Sequence, residues 1–476
     1  MHPVERRTHH QVTFAVLAAG VAAYALLQSL VTPVLPTIQA ALHTTQADVT
    51  WVLTAYLLSA SIFTPILGRL GDMTGKKRMF VVALTALAVG CLLAALATSL
   101  SVMIVARVIQ GVGGGVLPLA FGIIRDEFPD AKVPGAVGTI AALTAVGGGI
   151  GIVVAGPIVA LLDYHWLFWF PLIVLVASGV AAHFLVPESR ERSAGAINWL
   201  TALLLSAWLV ALLLAVSQAP TWGWGSTKVL ALLAAAVVVG VLWVVAESRS
   251  AHPLIDMKMM RIRAVWTTNL VALLFGVAMY AAFAFLPEFL QTPTAAGYGF
   301  GLSITESGLT LLPQAVATFV LGLVAGSVVS VIGYLLFALE HDRQWGVCLI
   351  AVVMGVGFGM AFSAMSNLIV AAVPPAQTGV ASGMNANIRT IGGSLGAAVV
   401  ASVVTSGASP SGLPVESGYT HGFLVLTGAL ALSALAALLI PAVRRNPVTR
   451  EEPDVALRHA ELAVVPGGTL VGDDPE

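Results

Sequence analysis

The chain has 476 residues, of which 58% are hydrophobic and 9% charged, with a formal net charge of −1. Soluble domains carry roughly 25% charged residues, so a mean hydropathy of +0.94 excludes a soluble globular protein and points to an all-α polytopic membrane protein. At ~20 residues per span the length allows roughly twelve to fourteen crossings and leaves no room for an extramembrane catalytic domain, and the near-neutral charge argues against a nucleic-acid partner.

Residues 1–11, with Arg6 and Arg7, precede an apolar run that has no small-residue cleavage signal. They are read as a cytoplasmic N-terminus followed by a retained first helix. Apolar runs at 12–34, 49–67, 79–98, 101–124, 135–161 and 166–186 predict a six-helix bundle over 12–190. Arg69, Lys76, Lys77 and Arg78, then Arg125 and Lys132, then Arg190 and Arg192 fall in alternate connections, whereas 35–48, 99–100 and 162–165 carry no Lys or Arg. The positive-inside rule therefore puts the basic connections, and the N-terminus, in the cytoplasm. The densest of them, Gly68 to Phe80 (GRLGDMTGKKRMF), is expected to be a short loop in water.

Residues 191–262 read as a two-helix insertion with flanking loops: spans at 197–217 and 229–246, a Trp222-Gly223-Trp224 turn between them, and a basic exit with Arg249, Lys258 and Arg261. A second bundle is expected over 263–442, with runs at 264–287, 306–339, 347–373, 379–405 and 421–442, closed by Arg444 and Arg445. The tail, 443–476, has the Pro, Gly and acidic content of a solvated, disordered cytoplasmic extension. Cys91 and Cys348 both lie in apolar runs and read as packing residues.

The halves repeat. Adding 244 to Gly111, Gly113, Gly115, Gly135, Gly148 and Gly149 gives positions 355, 357, 359, 379, 392 and 393, every one a glycine. The alignment breaks around 306–339, where about fifteen residues are missing from the second half, in the place that Pro65 to Met79 occupy in the first. As one helix this run would reach roughly 50 Å, against a hydrocarbon core of ~30 Å. It is too long for one span and short for two. The charge pattern favours two crossings with a cramped turn at Gly322 to Ser330, for about fourteen helices in all, with thirteen as the alternative.

Gly68, Leu70, Asp72, Gly75, Lys76 and Lys77 match the signature between helices 2 and 3 of the major facilitator superfamily, which the chain resembles over roughly 12–442. Arg107, Gln110 and Gly111 resemble its R-x-x-Q-G signature in helix 4. Ala145 to Val159 (AVGGGIGIVVAGPIV) resembles the Gly- and Pro-rich fifth helix of its antiporters, although the usual Gly-Pro pair falls at Gly151-Ile152 and the proline follows Gly156 instead. IIRDEFP (123–129), WLFWF (166–170), SGLTLLP (307–313) and NIRTIGGSLG (387–396), with the six-plus-two-plus-six layout, are similar to the fourteen-helix drug:proton antiporters.

The resemblance implies a multi-pass plasma-membrane exporter of hydrophobic or amphipathic drug-like molecules, coupled to protons, monomeric, without cofactor or metal and not an enzyme. It implies a gating role for Gly68, Asp72, Gly75, Lys76, Lys77 and Arg78, and a coupling or cavity role for Arg107 with Gln110. An arginine inside an apolar helix is costly in lipid, so Arg107, and Arg389 with Asn385 and Asn387, should face the bundle interior. Gly111, Gly148, Gly149, Gly151 and Gly156 suit close helix contact, and Pro157 a bend. Many relatives carry an acid in helix 1, where this chain has Leu27 or Gln28. That leaves Asp48, Glu288 and Glu306 as outer acids, of which Glu288 and Glu306 are the candidate proton carriers. Two other readings stay open: a transport-impaired binding or interaction protein, because of the shortened second half, and a solute importer of the same superfamily.

Overall fold

Hydrocarbon offers a backbone no partner but itself, so the apolar runs fold as helices. A computed structural model describes residues 3–49, 51–189, 198–250, 253–321, 332, 336, 343–405 and 415–441. The first half comprises α1 (Pro3–Leu30), the short α2 (Leu35–Ala41) and α3 (Gln46–Val49), α4 (Trp51–Thr74), α5 (Lys76–Ala95), α6 (Leu100–Gly111) running through a 3-10 turn into α7 (Val116–Glu127), α8 (Val133–Leu161) and α9 (Trp166–Leu185). Then come α10 (Trp199–Trp222), α11 (Thr227–Arg249) and α12 (Met257–Met260). The second half holds α13 (Arg263–Gln291), α14 (Ile304–Leu321), α15 (Gln344–Ala372), α16 (Thr378–Thr405) and α17 (Glu416–Ala437).

Among the described residues 12 helical stretches are long and apolar enough to cross a membrane; the 18-residue α14 is not counted in the 12 and packs along α8 and α15. The outward faces are apolar: α9 exposes Ile173, Val180 and Phe184, and α11 exposes Leu230, Val237 and Val241. Such faces belong against lipid. α10 packs on α11, α4 and α16, with Trp208 stacked on Trp243 at 5.8 Å. Helix starts are capped where side chains allow: Asn198 accepts from the Leu200 and Thr201 amides, and Ser226 from Val229.

One end of the bundle gathers the basic connections. Lys132 Nζ lies 3.4 Å from His10, Arg78 pairs with Glu188 at 3.4 Å, and Arg263 Nε donates to the Leu439 carbonyl at 3.3 Å. We call this the inner end. The repeat glycines 111, 113 and 115 fall at the α6–α7 junction, and their counterparts 355, 357 and 359 fall in α15, each the fourth expected crossing of its half.

Four expectations need correction or limitation. Gly68 to Phe80 is not a loop: α4 runs to Thr74 and α5 starts at Lys76, so Gly75 alone makes the turn, at φ +125°. Nor does the whole stretch sit in water, since Arg69, Asp72 and Lys76 are buried and only Arg78 is exposed. The 35–48 connection carries α2 and α3, the latter opened by Thr45, whose hydroxyl donates to Asp48 at 2.6 Å and accepts from its amide. The cramped turn at Gly322 to Ser330, the shortened 306–339 segment beyond Leu321 apart from 332 and 336, and the 443–476 tail lie outside the described residues. Within them, α14 and α15 run in the same direction: Gln344 Nε2 donates to Thr310 Oγ1 at 3.2 Å, and Gly355 and Gly359 press on the Gln314 and Thr318 carbonyls.

Candidate functional site

Between the halves lies a cavity of about 230 Å³. One wall comes from α1, α4, the α6–α7 junction and α8 (Tyr24, Gln28, Tyr56, Arg107), the other from α13, α15 and α16 (Tyr280, Phe362, Asn387, Arg389). Arg107 is fully buried. Its Nε donates to the Val52 carbonyl at 2.9 Å, its Nη1 donates to Gln110 Oε1 at 2.7 Å, and its guanidinium lies 4.6 Å from the centre of the Tyr56 ring. Gln110 in turn donates to Cys91 Sγ at 3.7 Å, which fixes the amide that orients the arginine. Arg389 sits over the Phe362 ring at 4.1 Å and bonds the Tyr280 hydroxyl. Gln28 donates to the Tyr280 hydroxyl at 3.4 Å and so bridges α1 and α13.

Below the cavity the inner end is shut. Asp72 accepts from the Gly379 and Val380 amides at 3.3 and 3.0 Å, in the first turn of α16. A carboxylate there meets both unpaired N–H groups and the positive end of the helix dipole. Gly68, one turn earlier, permits that approach, because a Cβ on it would stand 2.6 Å from the Gly379 carbonyl oxygen. Lys76 pairs with Asp126 at 2.8 Å, both side chains buried, and donates to the Pro375 carbonyl at 3.2 Å. Arg125 donates to the Val370 carbonyl and, at 3.1 Å, to Thr378 Oγ1. First-half side chains thus close on the α15–α16 connection at several points.

The remaining candidates divide. Gly75 is held at a backbone conformation that disfavours a side chain, with Glu188 filling the space beside it. Lys77 is half-buried and Arg78 reaches out to Glu188. Asn385 lies off the cavity, donating to Asn269 Oδ1 at 2.9 Å to tie α16 to α13, whereas Asn387 lines it. Gly111 abuts Ser59 of α4, Gly149 abuts Ala315 of α14, Gly151 abuts Ser29 of α1 and Gly156 abuts Thr305 of α14. Gly148 differs, since a Cβ there would meet only Phe283, at 3.7 Å, and it lines the cavity. Pro157 lies within the last turns of α8.

Neither candidate proton carrier lines the central cavity. Glu306 is an exposed helix-start cap, accepting from Ser303 N and Oγ at 2.9 Å each. Glu288 is exposed at the outer end beside Tyr298 and Tyr419, where burial, with the nearby carboxylates of Glu288 and Glu416, raises the Tyr298 hydroxyl pKa above the ordinary tyrosine value. Sequence reasoning missed Tyr24, Tyr56, Tyr280 and Phe362 as cavity residues and Asp126 as the partner of Lys76. Their pairings join distant helices and leave no local spacing to read.

The model of the Major Facilitator Superfamily matches residues 17–397. The chain is 30% identical over 413 residues to the tetracenomycin C resistance and export protein of Streptomyces glaucescens, covering 83% of this chain and 76% of that one. It is 28% identical to the cephamycin export protein of Amycolatopsis lactamdurans (88% and 90% covered) and 27% identical to multidrug resistance protein 3 of Bacillus subtilis (75% and 72%). Among solved structures it is similar in fold to the proton:xylose symporter XylE, with a TM-score of 0.64 at 12% identity over 92% of this chain and 97% of that one. The human organic anion transporter MFSD10 gives 0.59 at 17% identity over 92% and 100%. A helical bundle of this connectivity, a cavity shared between its halves and a family match over most of its length lead to one conclusion: the chain belongs to the Major Facilitator Superfamily, as an integral plasma-membrane transporter and not an enzyme.

Proposed function

We propose that this protein exports hydrophobic or amphipathic drug-like small molecules in exchange for protons, its halves 12–190 and 263–442 rocking about the central cavity while the 191–262 insertion rides on the side. The observation that carries this reading is the cavity walled by both halves and shut at the inner end by the bonds of Asp72 to α16 and of Lys76 to Pro375. Alternating access needs a closure that can be released, and the hydrogen bonds of Asp72, Lys76 and Arg125 to the α15–α16 region supply one between the halves. The export proteins among the relatives support the outward direction.

With Glu288 and Glu306 away from the cavity, the buried acids of the latch become the groups on which proton coupling acts. Protonating Asp72 removes the charge that accepts from the start of α16 and so frees the inner end. The protein works as a monomer, with its basic inner end and both termini in the cytoplasm. The test is a drug-accumulation assay in cells carrying the transporter, with and without a protonophore. Reduced accumulation that the protonophore restores is the expected result. Unchanged accumulation with well-inserted protein overturns export, and concentrative uptake reverses its direction.

A further inference from the structure

The cavity lining contains two guanidiniums and, among the described residues, no carboxylate. Within it several buried polar atoms have no partner: Nη2 of Arg107, Nε of Arg389, both polar atoms of the Asn387 amide and the Ser61 hydroxyl. The residues that carry them are 0%, 5%, 2% and 2% exposed. Buried polar groups are ordinarily satisfied, and a buried cation without a counter-charge is costly. Donors left open on one cavity mark where a ligand's acceptors fit.

The same geometry disfavours a cation. Aromatic faces attract organic cations, but Tyr56 already carries Arg107 and Phe362 already carries Arg389. An incoming cation would meet two like charges and no acid. The latch and candidate-carrier acids lie outside this lining: Asp72 and Asp126 belong to the inner latch, and Glu288 and Glu306 to the outer end. Tyr24, Tyr280 and Phe283 leave aromatic wall for a flat, apolar body.

We propose that the transported substrate is an amphipathic aromatic anion whose carboxylate or phenolate is held by Arg107, Arg389 and the Asn387 amide. Guanidinium groups suit this task because their planar donor fork matches a carboxylate. The proposal rests on the export reading for its direction, but binding tests it separately. An anion leaving against an entering proton moves charge in one sense, so an inside-negative potential drives both.

The test uses two xanthene dyes of opposite charge, fluorescein and the cation tetramethylrhodamine ethyl ester, with the full-length protein. Binding is measured in detergent and transport in inverted vesicles. Fluorescein is expected to bind and be carried, with affinity falling at least about tenfold in Arg389→Gln and in Arg107→Gln and partly recovering in Arg389→Lys, which excludes misfolding. Preferential binding of the rhodamine ester, no binding of fluorescein, or fluorescein binding indifferent to Arg389→Gln overturns the proposal. Arginine-dependent fluorescein binding without transport overturns the export reading and leaves the anion site standing. Transport of the rhodamine ester alone does the reverse.

Discussion

Asp72 joins parts of the chain 308 residues apart, accepting from Val380 at 3.0 Å. Hydrogen bonds to a charged group contribute about 1.5–3 kcal/mol, so Asp72→Ala should shift the balance between closed and open inner ends by roughly 10- to 100-fold. A cysteine at Ser382, buried beneath the cavity, should then be labelled faster by an impermeant maleimide applied to the inner face, with transport falling at unchanged expression. Labelling at the original rate would show that the bonds of Lys76 and Arg125 to the α15–α16 connection hold the closure without Asp72. Asp72, Lys76 and Arg107 were legible in the sequence because charge is conspicuous in an apolar chain. Their partners were not: the start of α16 offers Asp72 only backbone amides, and Asp126 reads like any acid of a polar connection.

The α4–α16 contact carries the same closure between helices. Gly68 stands against the Gly379 carbonyl, and Gly383 lies against the backbone at Thr64 and Pro65. Gly68→Val should push the two helices apart and open the inner end much as Asp72→Ala does. Because both substitutions act on one contact, the double variant is expected to be little worse than either single, as coupled neighbours behave in a mutant cycle. Additive losses would mean that Gly68 serves packing within the first half instead. At this scale the apolar runs showed where helices lie, yet the Gly68 to Phe80 stretch misled. Its charge suggested a solvated loop, while a single glycine at φ +125° lets α4 and α5 meet end to end and buries Asp72 and Lys76 against the other half.

For the whole molecule, the directions of the described helices bear on the parity of crossings where length does not. α14 and α15 point the same way, since Thr310 meets Gln344 near the start of both helices and Thr318 meets Gly359 farther along. α16 and α17 pair antiparallel, Gly418 against Val404, and α17 ends where Leu439 accepts from Arg263. Hydropathy alone could not yield this, because an uninterrupted apolar run gives no mark of where a chain reverses. The latch and the end of α17 therefore share the inner end, while the starts of α14 and α15 share the other. In a Cys91- and Cys348-free background, impermeant maleimide should label cysteines at Asp130 and Leu438 from the cytoplasm and cysteines at Asp163, Ala295 and Arg343 from outside. Outside labelling at Leu438 would leave an odd number of crossings and two halves that cannot rock as a symmetric pair.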